Sequence, residues 1–215
     1  MRCGEFLCWA SEVSREEFVA RRDSNMQDLE WLADASVRHQ AVLSKLAGRG
    51  AVLPARFGLV FSNEKTILRH MASRRRELRA QFRKVEGADE WGIKVFRLNP
   101  GPQLINVAKS GSDYLKKKAD AMHAELARSE RGRALPDEIN GFAAELKKVA
   151  RDVAPGGSVS RGQPGLEWQV SILLPKEQRA KFNALVERSA SAWAGAHRIE
   201  VTGPWPPYSF VKDKK

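Results

Sequence analysis

The chain of 215 residues is 42% hydrophobic and 29% charged, the balance of an ordinary folded protein with room for one large domain or two small ones. A formal net charge of +11 calls for an acidic partner: nucleic acid, an anionic surface or an acidic protein. The two cysteines, Cys3 and Cys8, suit neither a zinc site nor a disulfide framework, and no apolar run approaches the roughly 18 residues of a membrane span, so a cytoplasmic protein is expected.

Glu5 to Val13 (EFLCWASEV) is a short apolar run compatible with a strand. Ser14 followed by Arg15-Glu16-Glu17 has the pattern of a capped helix start. From Met26 to Leu46 a helix is predicted, because Leu29, Leu32, Ser36, His39, Leu43 and Leu46 recur at spacings of three and four. His39 then points inward on an otherwise apolar stripe. A hydrogen-bonded structural histidine fits better than a catalytic base, since no nucleophile or second ligand lies nearby in sequence.

Ala51 to Phe61 (AVLPARFGLVF) follows as a bent strand or strand pair, with Pro54 arguing for an edge or bulge and Gly58, after Phe57, for a close backbone approach. Arg56, the lone charge in this run, either pins the strand to a carboxylate or belongs to a contact surface, and pinning is favoured. Asn63 caps a predicted helix to about Val85, with Ile67, Met71, Leu78, Phe82 and Val85 on one face. Between Lys65 and Lys84 this helix carries eight Lys/Arg, among them Arg69, Arg74, Arg75, Arg76, Arg79 and Arg83, against Glu77 alone. The resulting +7 is most of the chain's excess. It is either a solvated face or a dock for an acidic surface.

Glu90 to Leu98 reads as a strand ended by the turn Asn99-Pro100-Gly101-Pro102. A helical arm is predicted from Gly111 to about Glu130, broken at Leu135-Pro136 and resumed from Asp137 to Val153. Ala154 to Gly165 (APGGSVSRGQPG) has the composition of a loop or hinge. Leu166 to Leu174, Lys176 to Ala196 and His197 to Thr202 then form a strand–helix–strand unit, a crossover on a shared sheet. The ending Gly203-Pro204-Trp205-Pro206-Pro207-Tyr208-Ser209-Phe210-Val211 combines fixed φ angles with three aromatics, which predicts a stiff strap packed on a surface. The expected division is 1–100, an α+β domain; 101–165, helical arm and hinge; and 166–215, a second α+β domain. The fold class is α+β, two ferredoxin-like or modified ferredoxin-like lobes whose sheets are covered by helices.

The ending VTGPWPPYSFV, the LPARFGLVF run, the helix around Ser36-Val37-Arg38-His39 and the SGSDYLKKK stretch (Ser110 to Lys118) resemble, in order, the gas vesicle protein L/F family. The resemblance implies a two-domain, non-catalytic accessory protein of gas vesicle nucleation or assembly, located at the gas vesicle in the cytoplasm. It implies no cofactor, and as partners the small shell protein (gas vesicle protein A) and other accessory proteins. Family members usually begin with a further strand before the segment matching Glu5 to Val13. Either the first domain lacks an edge strand or the start is misassigned; a missing strand would leave a sheet edge open to self-association, which a strictly monomeric elution over a wide concentration range would contradict.

Two other classes are weaker. A nucleic-acid-binding α+β module draws on the charge but lacks the aromatic signatures of base recognition, and a steep salt-dependent shift with oligonucleotides would revive it. No phosphate loop, dinucleotide fingerprint, nucleophile elbow or metal-ligand pair supports an enzyme.

Overall fold

The computed structural model describes residues 1–98, 137–156 and 163–211, and the chain forms two units, Met1–Asp89 with Trp205–Lys215, and Glu90–Pro204. Alternating apolar residues build the sheet around which the second unit is organised. Its strands are β3 (Ala88–Arg97), β4 (Asp152–Pro155), β5 (Leu166–Pro175) and β6 (His197–Trp205), in the order β4-β5-β3-β6. β4 runs antiparallel to β5, with Val153 opposite Ile172. The Arg97 N–H donates to Gly165 O and the Leu98 N–H to Ala196 O, both at 2.8 Å. The end of β3 therefore meets the starts of β5 and β6, and β3 lies antiparallel to both.

Helix α5 (137–149) and helix α6 (Arg179–Ala192) connect these strands and cover one face of the sheet. Ile139, Phe142 and Leu146 of α5 recur at three- and four-residue spacing, as do Phe182 and Leu185 of α6, so each helix buries a single stripe. They pack on Trp91, Ile93, Val95, Val170, Ile172 and Leu174. Burying each such side chain is worth about 1.5–3 kcal/mol, so this layer is the main source of the unit's stability. Arg179 lies over the Trp91 ring, 3.5 Å from its centroid, and His197 and Arg97 pair with Glu167 at the end of the sheet.

Two expectations change here, and a third is not tested. Asp152–Pro155, expected as helix end and hinge, is strand β4, at the edge of the sheet where Pro155 removes no central hydrogen bond. The predicted strap begins as the last residues of β6, also an edge strand, so Pro204 is tolerated within it. Of the helical arm, the part before Asp137 lies outside the described residues.

The first unit is mostly helical. Strands β1 (Arg2–Cys3) and β2 (Phe6–Leu7) form a hairpin, and a π-helical turn at Glu16–Ala20 leads into the short α1 (Arg22–Asn25). Helix α2 (Leu29–Ala47) starts where Asp28 accepts from the Glu30 and Trp31 N–H groups. Helix α3 (Glu64–Ser73) opens on a capping box between Asn63 and Thr66, and α4 (Arg75–Val85) follows after one residue. The expected pair of ferredoxin-like lobes is not confirmed: among the described residues this unit's own paired strands are two residues each, and they cannot hold a sheet. Ala51 to Phe61 forms no strand, for it pairs with nothing among the described residues and buries only Pro54. The expected single helix to Val85 breaks at Arg74 (φ −104°, ψ 9°), whose guanidinium turns back onto His70 Nε2 (3.3 Å) and Glu77 (3.2 Å). Leu29, expected on the inward face of α2, is 79% exposed because it is the first residue of the helix, while Ala35 and Leu43 are buried.

Gly203 has φ +133°, and an added Cβ would stand 2.9 Å from Glu90 O and 3.0 Å from the Trp91 ring. A side chain there meets both backbone strain and a collision on β3. Gly203→Ala is expected to destabilise the protein by about 1–3 kcal/mol in urea unfolding, and an unchanged midpoint would refute this account of the position.

Candidate functional site

The densest charge in the chain lies on α3 and α4, where eight Lys/Arg face one acid between Lys65 and Lys84. Leu78, Gln81 and Val85 are the buried positions of α4, so its remaining sides carry the guanidinium groups outward. Arg69, Arg76 and Arg83 are exposed, with no carboxylate partner among the described residues. Arg74 is different, folded half-buried against Glu77 and His70.

Arg75 and Arg79, one helical turn apart, converge on Glu5 of the N-terminal hairpin. Glu5 accepts from Arg75 Nε at 3.0 Å and Nη2 at 3.4 Å, and from Arg79 Nη2 at 2.6 Å. Beside this clasp the Phe6 ring stacks on Phe82 of α4, centroids 5.2 Å apart and planes 12° from parallel. Hydrogen bonds from Arg75 and then Arg79 hold the Glu5 carboxyl down to about 2. Sequence reasoning singled out the two arginines and missed Glu5, which sits 70 residues from Arg75. Its only local signal was an acid inside an apolar run.

The other singled-out residues fall into two groups. Around α2, the Phe57 ring lies between Trp31 (6.4 Å) and His39 (5.7 Å). His39 is half-buried and bonds to the Ala55 backbone, while its Nε2 has no hydrogen-bond partner among the described residues. Burial pushes the His39 pKa down, with the Ala55 bond opposing. Gly58 takes φ +77° in the turn that follows Phe57. Arg56 is exposed and pairs with no carboxylate among the described residues, so the expected pin is absent; with no strand at this position there is nothing to pin.

The second group is the C-terminal strap. Pro206, Pro207 and Phe210 are buried, Lys84 stands over the Phe210 ring at 5.5 Å, and Tyr208 donates through its hydroxyl to Gln40 Oε1 at 3.2 Å. Trp205 and Tyr208, expected to be covered, are 44% and 38% exposed. Two prolines and one aromatic anchor the strap, and a turn of 3-10 helix at Tyr208–Phe210 directs Phe210 inward and leaves Tyr208 at the surface. Gly203 and Pro204 belong to the second unit. Among the described residues no group of three or more His, Cys, Asp and Glu side chains could hold a metal ion.

This is an α+β protein, and solved structures share its fold. The crystal structure of the gas vesicle protein GvpF from Anabaena sp. PCC7120 matches with a TM-score of 0.60 at 23% identity, covering 83% of this chain and 78% of that one. That of GvpF from Microcystis aeruginosa gives 0.60 at 24% identity, covering 86% and 78%. Gas vesicle protein L of a Streptomyces species is 26% identical, over 98% of this chain and 82% of its own length. Residues 1–212 match the gas vesicle synthesis protein GvpL/GvpF family, and the chain belongs to that family.

Two of the shifted groups, Glu5 and His39, give pH dependences that can be measured at this site. Glu5 titrates below its ordinary value of 4.5, so its hold on the hairpin is complete above about 4.5 and is lost as pH falls toward about 2. Carboxyl NMR is expected to place the Glu5 midpoint near 2, moving toward 4.5 in Arg75→Ala. His39 also binds its proton more weakly when folded, so its contribution is present above its ordinary 6.5 and lost below it. The wild-type chain is expected to lose stability relative to His39→Phe as pH drops through 6.5, read from urea midpoints; parallel curves would contradict this.

Proposed function

We propose that this protein is a non-catalytic assembly factor that binds the small shell protein, gas vesicle protein A, while the vesicle is nucleated or extended in the cytoplasm. The family is one of gas vesicle synthesis proteins, and that sets the process. The observation that carries the binding surface is the cluster of exposed guanidinium groups on α3 and α4, at Arg69, Arg76 and Arg83, joined by Arg75 and Arg79. Guanidinium groups make forked hydrogen bonds to carboxylates and are weakly hydrated, so a helix face rich in them suits an acidic protein surface. Apolar side chains exposed in the same unit, among them Leu7, Trp9 and Val37, give a hydrophobic partner further area to cover. The second unit, with its β-α-β-β-α-β order, is a ferredoxin-like scaffold in this reading. Other gas vesicle accessory proteins are further partners of the same surface.

The test is capture of shell protein from a co-expressing culture by wild type and by an Arg69→Glu, Arg76→Glu, Arg83→Glu variant, which spares the Glu5 clasp. The charge reversal is expected to cut capture by about tenfold or more, each interfacial like-charge contact costing on the order of a kcal/mol or more. Undiminished capture would remove α3 and α4 from the interface.

A further inference from the structure

The clasp at Glu5 shows what α4 recognises, because the chain presents that helix with a ligand of its own. Along one stripe of α4 stand Arg75, Arg79 and Phe82, at positions i, i+4 and i+7. Two cations one turn apart repel unless an anion lies between them, and the next turn offers a ring. Onto this stripe the hairpin lays an acid followed by an aromatic: Glu5 takes three hydrogen bonds from Arg75 and Arg79, and Phe6 stacks on Phe82. We propose that Arg75, Arg79 and Phe82 form a docking site for an acid-then-aromatic segment of a partner protein, and that the β1–β2 hairpin occupies it in cis as a self-occluding strap.

Three features make the occupant releasable. The hairpin has two pairs of strand residues, too few to be stable alone, so it stays ordered through what it touches on α3 and α4. The clasp is wet, with the Arg75, Arg79 and Glu5 side chains 59%, 49% and 34% exposed, so water and salt weaken it. Its turn is Gly4–Glu5, and at Gly4 (φ +65°) no atom stands within 4 Å of an added Cβ, so the turn meets α4 through the Glu5 side chain while Gly4 is open to water.

A tethered ligand competes at an effective concentration of roughly millimolar, so a free segment of equal affinity displaces it poorly. A partner that also engages Arg76 and Arg83 gains contacts the hairpin does not make, and wins. The inference thus adds a gate to the proposed role of α4 as a partner surface, and it names the local chemistry of the segment that opens it.

The test uses the full chain with the site vacated, Glu5→Ala with Phe6→Ala, and as probe a synthetic peptide with the sequence of residues 1–10 carrying serine in place of both cysteines. Circular dichroism and the urea midpoint establish that the vacated chain is folded. Amide shifts of α4 in NMR titrations then report binding. The peptide is expected to bind the vacated chain with a Kd of ~0.1 mM, the wild type about tenfold more weakly because the tethered hairpin competes at roughly millimolar, and a vacated chain with Arg79→Glu not at all. Equal binding to wild type and vacated chain, or none to a folded vacated chain, overturns the proposal. Peptide binding that persists where shell protein is not captured supports the gate and removes that partner, so the two readings fail separately.

Discussion

Like charge packed along a short helix has to be answered by something, and that requirement shapes the first unit. Eight cationic side chains between Lys65 and Lys84 are only locally compensated within the helices, where Glu77 meets Arg74 and Gln81. The remaining repulsion is relieved by a carboxylate brought from the chain's beginning and by water around Arg69, Arg76 and Arg83. An exposed ion pair contributes little to stability. So many guanidinium groups on two consecutive helices are therefore poorly explained by folding alone, and this is the observation behind the proposed contact with an acidic protein.

The two units divide the physical work. In the second, strands and helices bury one continuous layer in which Ile93, Val95, Ile172 and Phe182 are almost wholly out of water. Such a layer is stiff, since a close-packed core resists small displacements. The first unit buries fewer large side chains and leaves Leu7, Trp9, Leu29 and Val37 in solvent. Exposed apolar and guanidinium groups in one unit are compatible with the partner-binding role proposed for it.

How much of this could be read from residues alone depended on whether the signal was local. Strands β3, β5 and β6 and helix α6 were legible because their apolar residues recur every second position in the strands and three apart in the helix, within nine to fourteen residues. The capping of α3 by Asn63 was equally local. The run Ala51 to Phe61 misled because apolar content was read as pairing, and among the described residues it has no partner strand. Strand β4 was hidden by its four-residue length and by Pro155, an edge-strand residue that reads as a loop. The family resemblance rested on motifs such as VTGPWPPYSFV and was right, yet the exposure of Trp205 and Tyr208 was not in it. Glu5 could not be found at all, since a salt bridge spanning 70 residues leaves no mark in spacing.

The most direct measurement is hydrogen–deuterium exchange of the full chain with and without the purified shell protein. The account requires slowed exchange across Arg75–Val85 when shell protein is bound, together with faster exchange in Arg2–Leu7 as the hairpin leaves. Shell protein bound with the exchange of α4 unchanged would contradict it.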